Sequence, residues 1–201
     1  HNWPHLEEPE ANRTWYDEGT AEYYSIVLPY RAGFSSIEDV MKQIQERANM
    51  YFGNPFRTMS NEEAVEMYWK DRRTQRIPYG RGFFYIISVD HVIRTASENR
   101  RSVDDVVLGL LRQERQTGKK PTYADWIEAV SRELRQDAQP AFEAMSRGEL
   151  ILPSDDWFGG IFKVRAATIP QYINKWEKSD ETLDGFIWER NPGVPDAQAK
   201  I

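Results

Sequence analysis

From Pro78 towards Ala96 the chain reads as a helix with Pro in its first turn and apolar residues on almost every side, among them Phe83, Phe84, Ile86, Ile87 and Val92. Such a helix cannot face water along its length. It must be enclosed, and the rest of the chain has to supply the enclosure.

The flanking sequence does so with amphipathic helices opened by Ser or Thr followed three places on by an acid, the pattern of a capping box. Ser36 with Asp39 starts a helix whose stripe is Ile37, Val40, Met41 and Ile44. Ser60 with Glu63 opens one through Met67, Tyr68 and Trp69. Ser102 with Asp105 precedes Val103, Val106, Val107, Leu110 and Leu111, and Gly118 ends that helix. Thr122 with Asp125 begins the next, which carries Tyr123, Trp126, Ile127, Val130 and Leu134 on one face. A short helix over Pro140–Arg147 stops at Gly148. A longer one opens near Asn12 or Thr14 and runs through Tyr16–Tyr30 to Gly33, with Pro29 bending or ending its last turn.

After Pro153 the period changes. Phe158–Ala166 and Leu183–Arg190 are rich in aromatic and β-branched residues and are punctuated by Gly, Pro and Asp. The expected organisation is a mostly α, multi-helical bundle over residues 1–153. A C-terminal extension over 154–201 would form a small β-hairpin or an irregular segment with a tail.

Composition narrows the function classes. The chain of 201 residues carries a formal charge of −6 and lacks the basic footprint of a nucleic-acid binder. No apolar run reaches the ~18 residues of a membrane span. With no Cys, disulfides, thiolate metal sites and cysteine nucleophiles are excluded. Seven Trp, ten Tyr and nine Phe point to an aromatic core. The tryptophans are scattered along the chain, several at core-facing helix positions, which suits packing better than a sugar-binding platform.

Few residues are candidates for chemistry. His1 and His5 have the spacing of a helical metal pair, but Pro4 between them disfavours a helix. His91, on the apolar helix, reads as a hydrogen-bonded structural histidine. Glu18 falls in a first helical turn, where the helix dipole favours acids for structural reasons alone. Gly19 directly after it is harder to explain, because Gly weakens a helix interior by about 1 kcal/mol relative to Ala. A Gly there implies that something packs very close to the backbone.

Trp15-Tyr16-Asp17-Glu18-Gly19-Thr20-Ala21-Glu22-Tyr23-Tyr24 resembles the Trp-aromatic-x-Glu-Gly-x-x-x-Tyr-Tyr helix of the glycyl aminopeptidases, gluzincin zinc metallopeptidases of the aminopeptidase N clan. The resemblance implies that Glu18 is a zinc ligand. His1-Asn2-Trp3-Pro4 is similar to the end of the family's His-Glu-x-x-His-x-Trp-Asn motif, with Pro4 departing from Asn. His1 would then be the second histidine ligand, with the first histidine and the catalytic Glu preceding residue 1. Ile77-Pro78-Tyr79-Gly80-Arg81-Gly82 resembles the Pro-Tyr-x-Lys-Gly opening of a long helix whose Tyr donates to the oxyanion, which nominates Tyr79. Arg81 stands where Lys is usual. Without the resemblance, Tyr79 reads as a helix-start aromatic with its hydroxyl in water. Arg100-Arg101-Ser102-Val103-Asp104-Asp105 resembles a third stretch, Gly-Lys-Lys-Ser-Leu-Asp-Asp.

The resemblance implies a zinc-dependent peptidase acting on peptides. This chain would be the helical C-terminal part of its catalytic region, and the upstream half of that region its partner. Neither nucleic acid nor membrane is expected as a partner. On this reading the isolated chain binds Zn2+ weakly, is inactive, and shows Glu18 as an exposed carboxylate. The alternatives are a non-catalytic pseudo-peptidase and a helical peptide-binding module.

Overall fold

The computed structural model describes residues 5–174 and 177–201, so His1 and Trp3 lie outside the described residues. Seven α-helices and one two-stranded antiparallel sheet follow each other in chain order among them. They are α1 (Glu10–Arg31), α2 (Ile37–Phe52), α3 (Asn61–Glu66), α4 (Ile77–Ala96), α5 (Val103–Thr117), α6 (Tyr123–Leu134), α7 (Gln139–Ser146), β1 (Phe162–Tyr172) and β2 (Lys178–Arg190).

All four capping boxes form. The side chains of Ser36, Ser60, Ser102 and Thr122 accept from first-turn N–H groups, and Asp39, Glu63, Asp105 and Asp125 accept the return bonds. Gly118 closes α5 in the left-handed conformation at φ 69°. Two helix ends differ from the sequence expectation. Helix α1 begins at Glu10 directly after Pro9, so Asn12 and Thr14 lie inside it. The Thr14 hydroxyl donates back to the Glu10 carbonyl at 2.6 Å, and the Asn12 carbonyl accepts the Trp15 indole N–H at 2.7 Å. Helix α3 stops at Glu66, short of Trp69, which touches only the neighbouring Tyr68 ring among described aromatics and is 89% exposed.

Helix α4 is enclosed as its composition requires. Thirteen of its twenty residues are buried, with α1 across one side and α2 across another. Two aromatic clusters flank it. Trp15 meets Tyr85, Phe142 and Trp126 with ring centroids 5.2, 5.5 and 5.7 Å apart. On the other flank Phe84 lies between Phe52 at 5.1 Å, Trp188 at 5.7 Å and Trp157 at 6.2 Å. Four of the five described tryptophans are buried in these clusters.

The strands are longer than the two apolar segments that announced them, and they pair from Phe162↔Arg190 to Tyr172↔Lys178. The hairpin lies on α2. Gln45 acts there as a surrogate peptide group, donating to the Phe186 carbonyl at 3.1 Å and accepting from the Trp188 N–H at 2.9 Å. Tyr172 N–H donates to the Gly53 carbonyl at 2.8 Å, which ties the far end of β1 to the end of α2.

Candidate active site

Helices α1 and α4 touch backbone to backbone. A Cβ placed on Gly19 would lie 2.4 Å from the Gly82 carbonyl carbon, and one on Gly82 would lie 2.0 Å from the Trp15 carbonyl oxygen. No neighbouring side chain can move to relieve such contacts, so both positions require glycine. The close approach implied by Gly19 is therefore made by Gly82. Glu18 precedes one of these glycines and Tyr79 lies three positions before the other. The crossing brings their side chains onto one surface.

The opening turn of α4 is fixed on its other sides too. Gly80 admits Tyr51, whose Cβ would be 2.7 Å from an added methyl group. Arg81, wholly buried, donates from Nη1 to Asn61 Oδ1 at 2.7 Å and from Nη2 to the carbonyls of Arg57 (3.0 Å) and Met59. Burial holds its pKa below the usual arginine value, with Tyr51 opposing that shift. The cation thus staples the segment between α2 and α3 under α4, and Tyr79 stands on a rigid base.

The Tyr79 phenol and the Glu18 carboxylate face each other closely enough for each to shift the other's ionisation. Glu18 is half-buried where an exposed carboxylate was expected, because the first turn of α4 covers it. Burial pushes its carboxyl above the usual range, and the charges of Asp17 and Glu22 add to this, while Tyr79 and Arg76 oppose. The Tyr79 phenol is pushed up to about 12, first by burial and then by the Glu18 charge. At neutral pH it is a hydrogen-bond donor and not a base.

Around the pair stand residues that the sequence did not single out. Arg76 lies with its guanidinium 5.2 Å from the Tyr79 ring centroid. Glu22, one turn beyond Glu18, is held by Arg47 of α2 at 2.6 Å. A cleft of about 460 Å³ opens beside them towards the hairpin, lined by Glu22, Arg47, Met50, Arg76 and Tyr172 among others. Arg76 closes the 3-10 turn Thr74–Arg76 and immediately precedes α4.

The other candidates are elsewhere. His5 faces Asp17, with Nδ1 3.1 Å from a carboxylate oxygen. His91 is half-buried on the far half of α4 and lines a separate cavity of about 530 Å³ with Asp90, Arg94 and Lys200. His1 lies outside the described residues. Among the described residues no group of three or more His, Asp or Glu side chains is placed to hold a metal ion. Glu18 is the one described side chain of the expected ligand set, and it makes no ion pair with a described residue.

A carboxylate and a phenol on crossing helices thus stand next to residues, Glu22 and Arg76, that line a cleft. The model of the M61 glycyl aminopeptidase family matches residues 4–80, which include Glu18, Gly19 and Tyr79. Over those residues the chain is similar to a peptidase family; the match takes in residues 15–24 and 77–80 and leaves out His1, Trp3, Arg81 and Gly82. It ends before Arg100–Asp105. No curated protein matches the chain.

Proposed function

We propose that this chain is the Glu18-bearing helical part of the catalytic region of a zinc-dependent peptidase of the aminopeptidase type. The carrying observation is the Glu18–Tyr79 contact inside the family-matched residues. Glu18 supplies one zinc ligand and His1 a second, while the third ligand and the general base come from a His-Glu-x-x segment upstream. The metal would supply a Lewis acid and a water of lowered pKa.

The work of the described residues is separate from that. Tyr79 keeps its proton through neutral pH and presents it where charge develops on the scissile carbonyl oxygen, a donation worth about 3–4 kcal/mol. The Gly19–Gly82 crossing holds donor and carboxylate in register. The cleft beside Arg76 receives the peptide.

A catalytic zinc needs three protein ligands. With two at most, the 201-residue chain alone binds zinc weakly and hydrolyses no peptide, whereas the chain extended upstream does both. The test is hydrolysis of a peptide panel, including glycine-initiated peptides, by both forms with zinc. Activity of the short chain overturns the ligand assignment. A folded, zinc-loaded extended chain that is inert supports the pseudo-peptidase.

A further inference from the structure

Arg76 is a cation at the edge of the site. It ends the 3-10 turn Thr74–Arg76 that runs directly into α4, and its guanidinium forms no ion pair with a carboxylate among the described residues. The other cations nearby are committed: Arg47 to Glu22 at 2.6 Å and Glu46 at 3.6 Å, and Arg73 to Asp71 at 2.7 Å. The Arg76 guanidinium carbon lies 5.2 Å from the Tyr79 ring centroid, a contact that engages none of its N–H groups in a hydrogen bond.

Those donors border the cleft between α2 and the hairpin. The acids of that cleft are engaged, Glu22 and Glu46 by Arg47 and Glu177 by Asn174 Nδ2 at 3.0 Å. Arg76 also acts electrostatically on both Glu18 and Tyr172. It therefore joins the reacting pair to the cleft and carries the uncommitted charge there.

We propose that Arg76 and the cleft it borders form a subsite for a carboxylate of the peptide substrate, so that short peptides with a free C-terminus, or peptides acidic at that position, are preferred. This rests on the peptidase reading given above. The fit is one of charge and shape: a fork of N–H donors takes a carboxylate through two parallel bonds, and about 460 Å³ holds a segment of a few residues.

The test measures binding to the 201-residue chain by calorimetry, using peptides of two to five residues as free acids and as C-terminal amides. A second arm compares amidated peptides ending in Glu and in Gln. Wild type should favour the carboxylate form about tenfold or more at one length. Arg76→Gln should reduce the ratio to within about twofold, and Arg76→Lys should keep part of it. Preference for the free acid alone identifies the C-terminus, and preference for Glu over Gln identifies a side chain. Equal affinities, a ratio that survives Arg76→Gln, or no binding at any length overturn the subsite. Hydrolysis by the upstream-extended chain decides the peptidase reading separately. Activity without carboxylate preference removes the subsite alone, and carboxylate-selective binding without activity removes the reaction alone.

Discussion

Glu18 and Tyr79 show how burial assigns roles to two ordinary side chains. Half-covered by the first turn of α4, the carboxylate loses solvation and seeks compensation, which the phenol supplies. The same burial and the adjacent negative charge hold the phenol's proton in place. The consequence is a donor that remains protonated wherever a peptidase would work. Replacing Tyr79 by Phe keeps the ring under Arg76 and removes the hydroxyl. In the zinc-loaded extended protein this substitution should lower kcat about 10²–10³-fold and leave KM nearly unchanged, because the bond is strongest to the developing oxyanion. Steady-state kinetics on a glycine-initiated peptide checks it. A loss confined to KM would make Tyr79 a substrate-binding residue only.

Helix by helix, the chain was most legible where local chemistry and packing agree. The capping boxes at Ser36, Ser60, Ser102 and Thr122 form because the return bond from the acid is available within four residues and needs no tertiary partner. The start of α1 was less legible, because the helix opens at Glu10 after Pro9 without a side-chain cap to mark it. The end of α3 depends on what lies across from Tyr68 and Trp69, and only the fold reveals that nothing covers Trp69. Within the site, Gly19 announced a close approach but could not name its partner. Glycine Gly82 is 63 positions away by subtraction of the sequence numbers, and no local pattern links the two. Arg76 belongs to the site only through the fold, which brings the Tyr79 ring, the Glu18 carboxylate and the cleft around it. The two kinds of helical glycine make a direct test. Gly82→Ala places a methyl group 2.0 Å from the Trp15 carbonyl oxygen and should cost about 3 kcal/mol or more. Gly109→Ala, in α5 with nothing within 4 Å, should stabilise by roughly 0.5–1 kcal/mol. Denaturant unfolding of both variants checks this, and similar effects at the two sites would contradict the backbone contact.

Across the whole molecule, the hairpin is bound to the helices by the same aromatic residues that fill their core. Trp188 of β2 lies against Phe84 of α4 and Phe52 of α2, and Gln45 fixes its backbone. Trp188→Ala should cost about 3–5 kcal/mol and weaken helices and hairpin together. Thermal unfolding followed by helical circular dichroism and by tryptophan fluorescence should remain coincident, whereas separate transitions would show that the hairpin folds on its own. That attachment also fixes one wall of the cleft, which Pro170, Gln171 and Tyr172 line opposite Arg47 and Arg76. The central claim is that the surface made by the α1–α4 crossing is the ligand side of a zinc centre. Anomalous scattering at the zinc edge, from crystals of the upstream-extended protein loaded with one metal equivalent, tests it most directly. The account predicts zinc about 2.0–2.2 Å from a Glu18 oxygen, with the Tyr79 hydroxyl facing the same site. Zinc held elsewhere in the folded protein, with Glu18 still bound only to Tyr79, would contradict it.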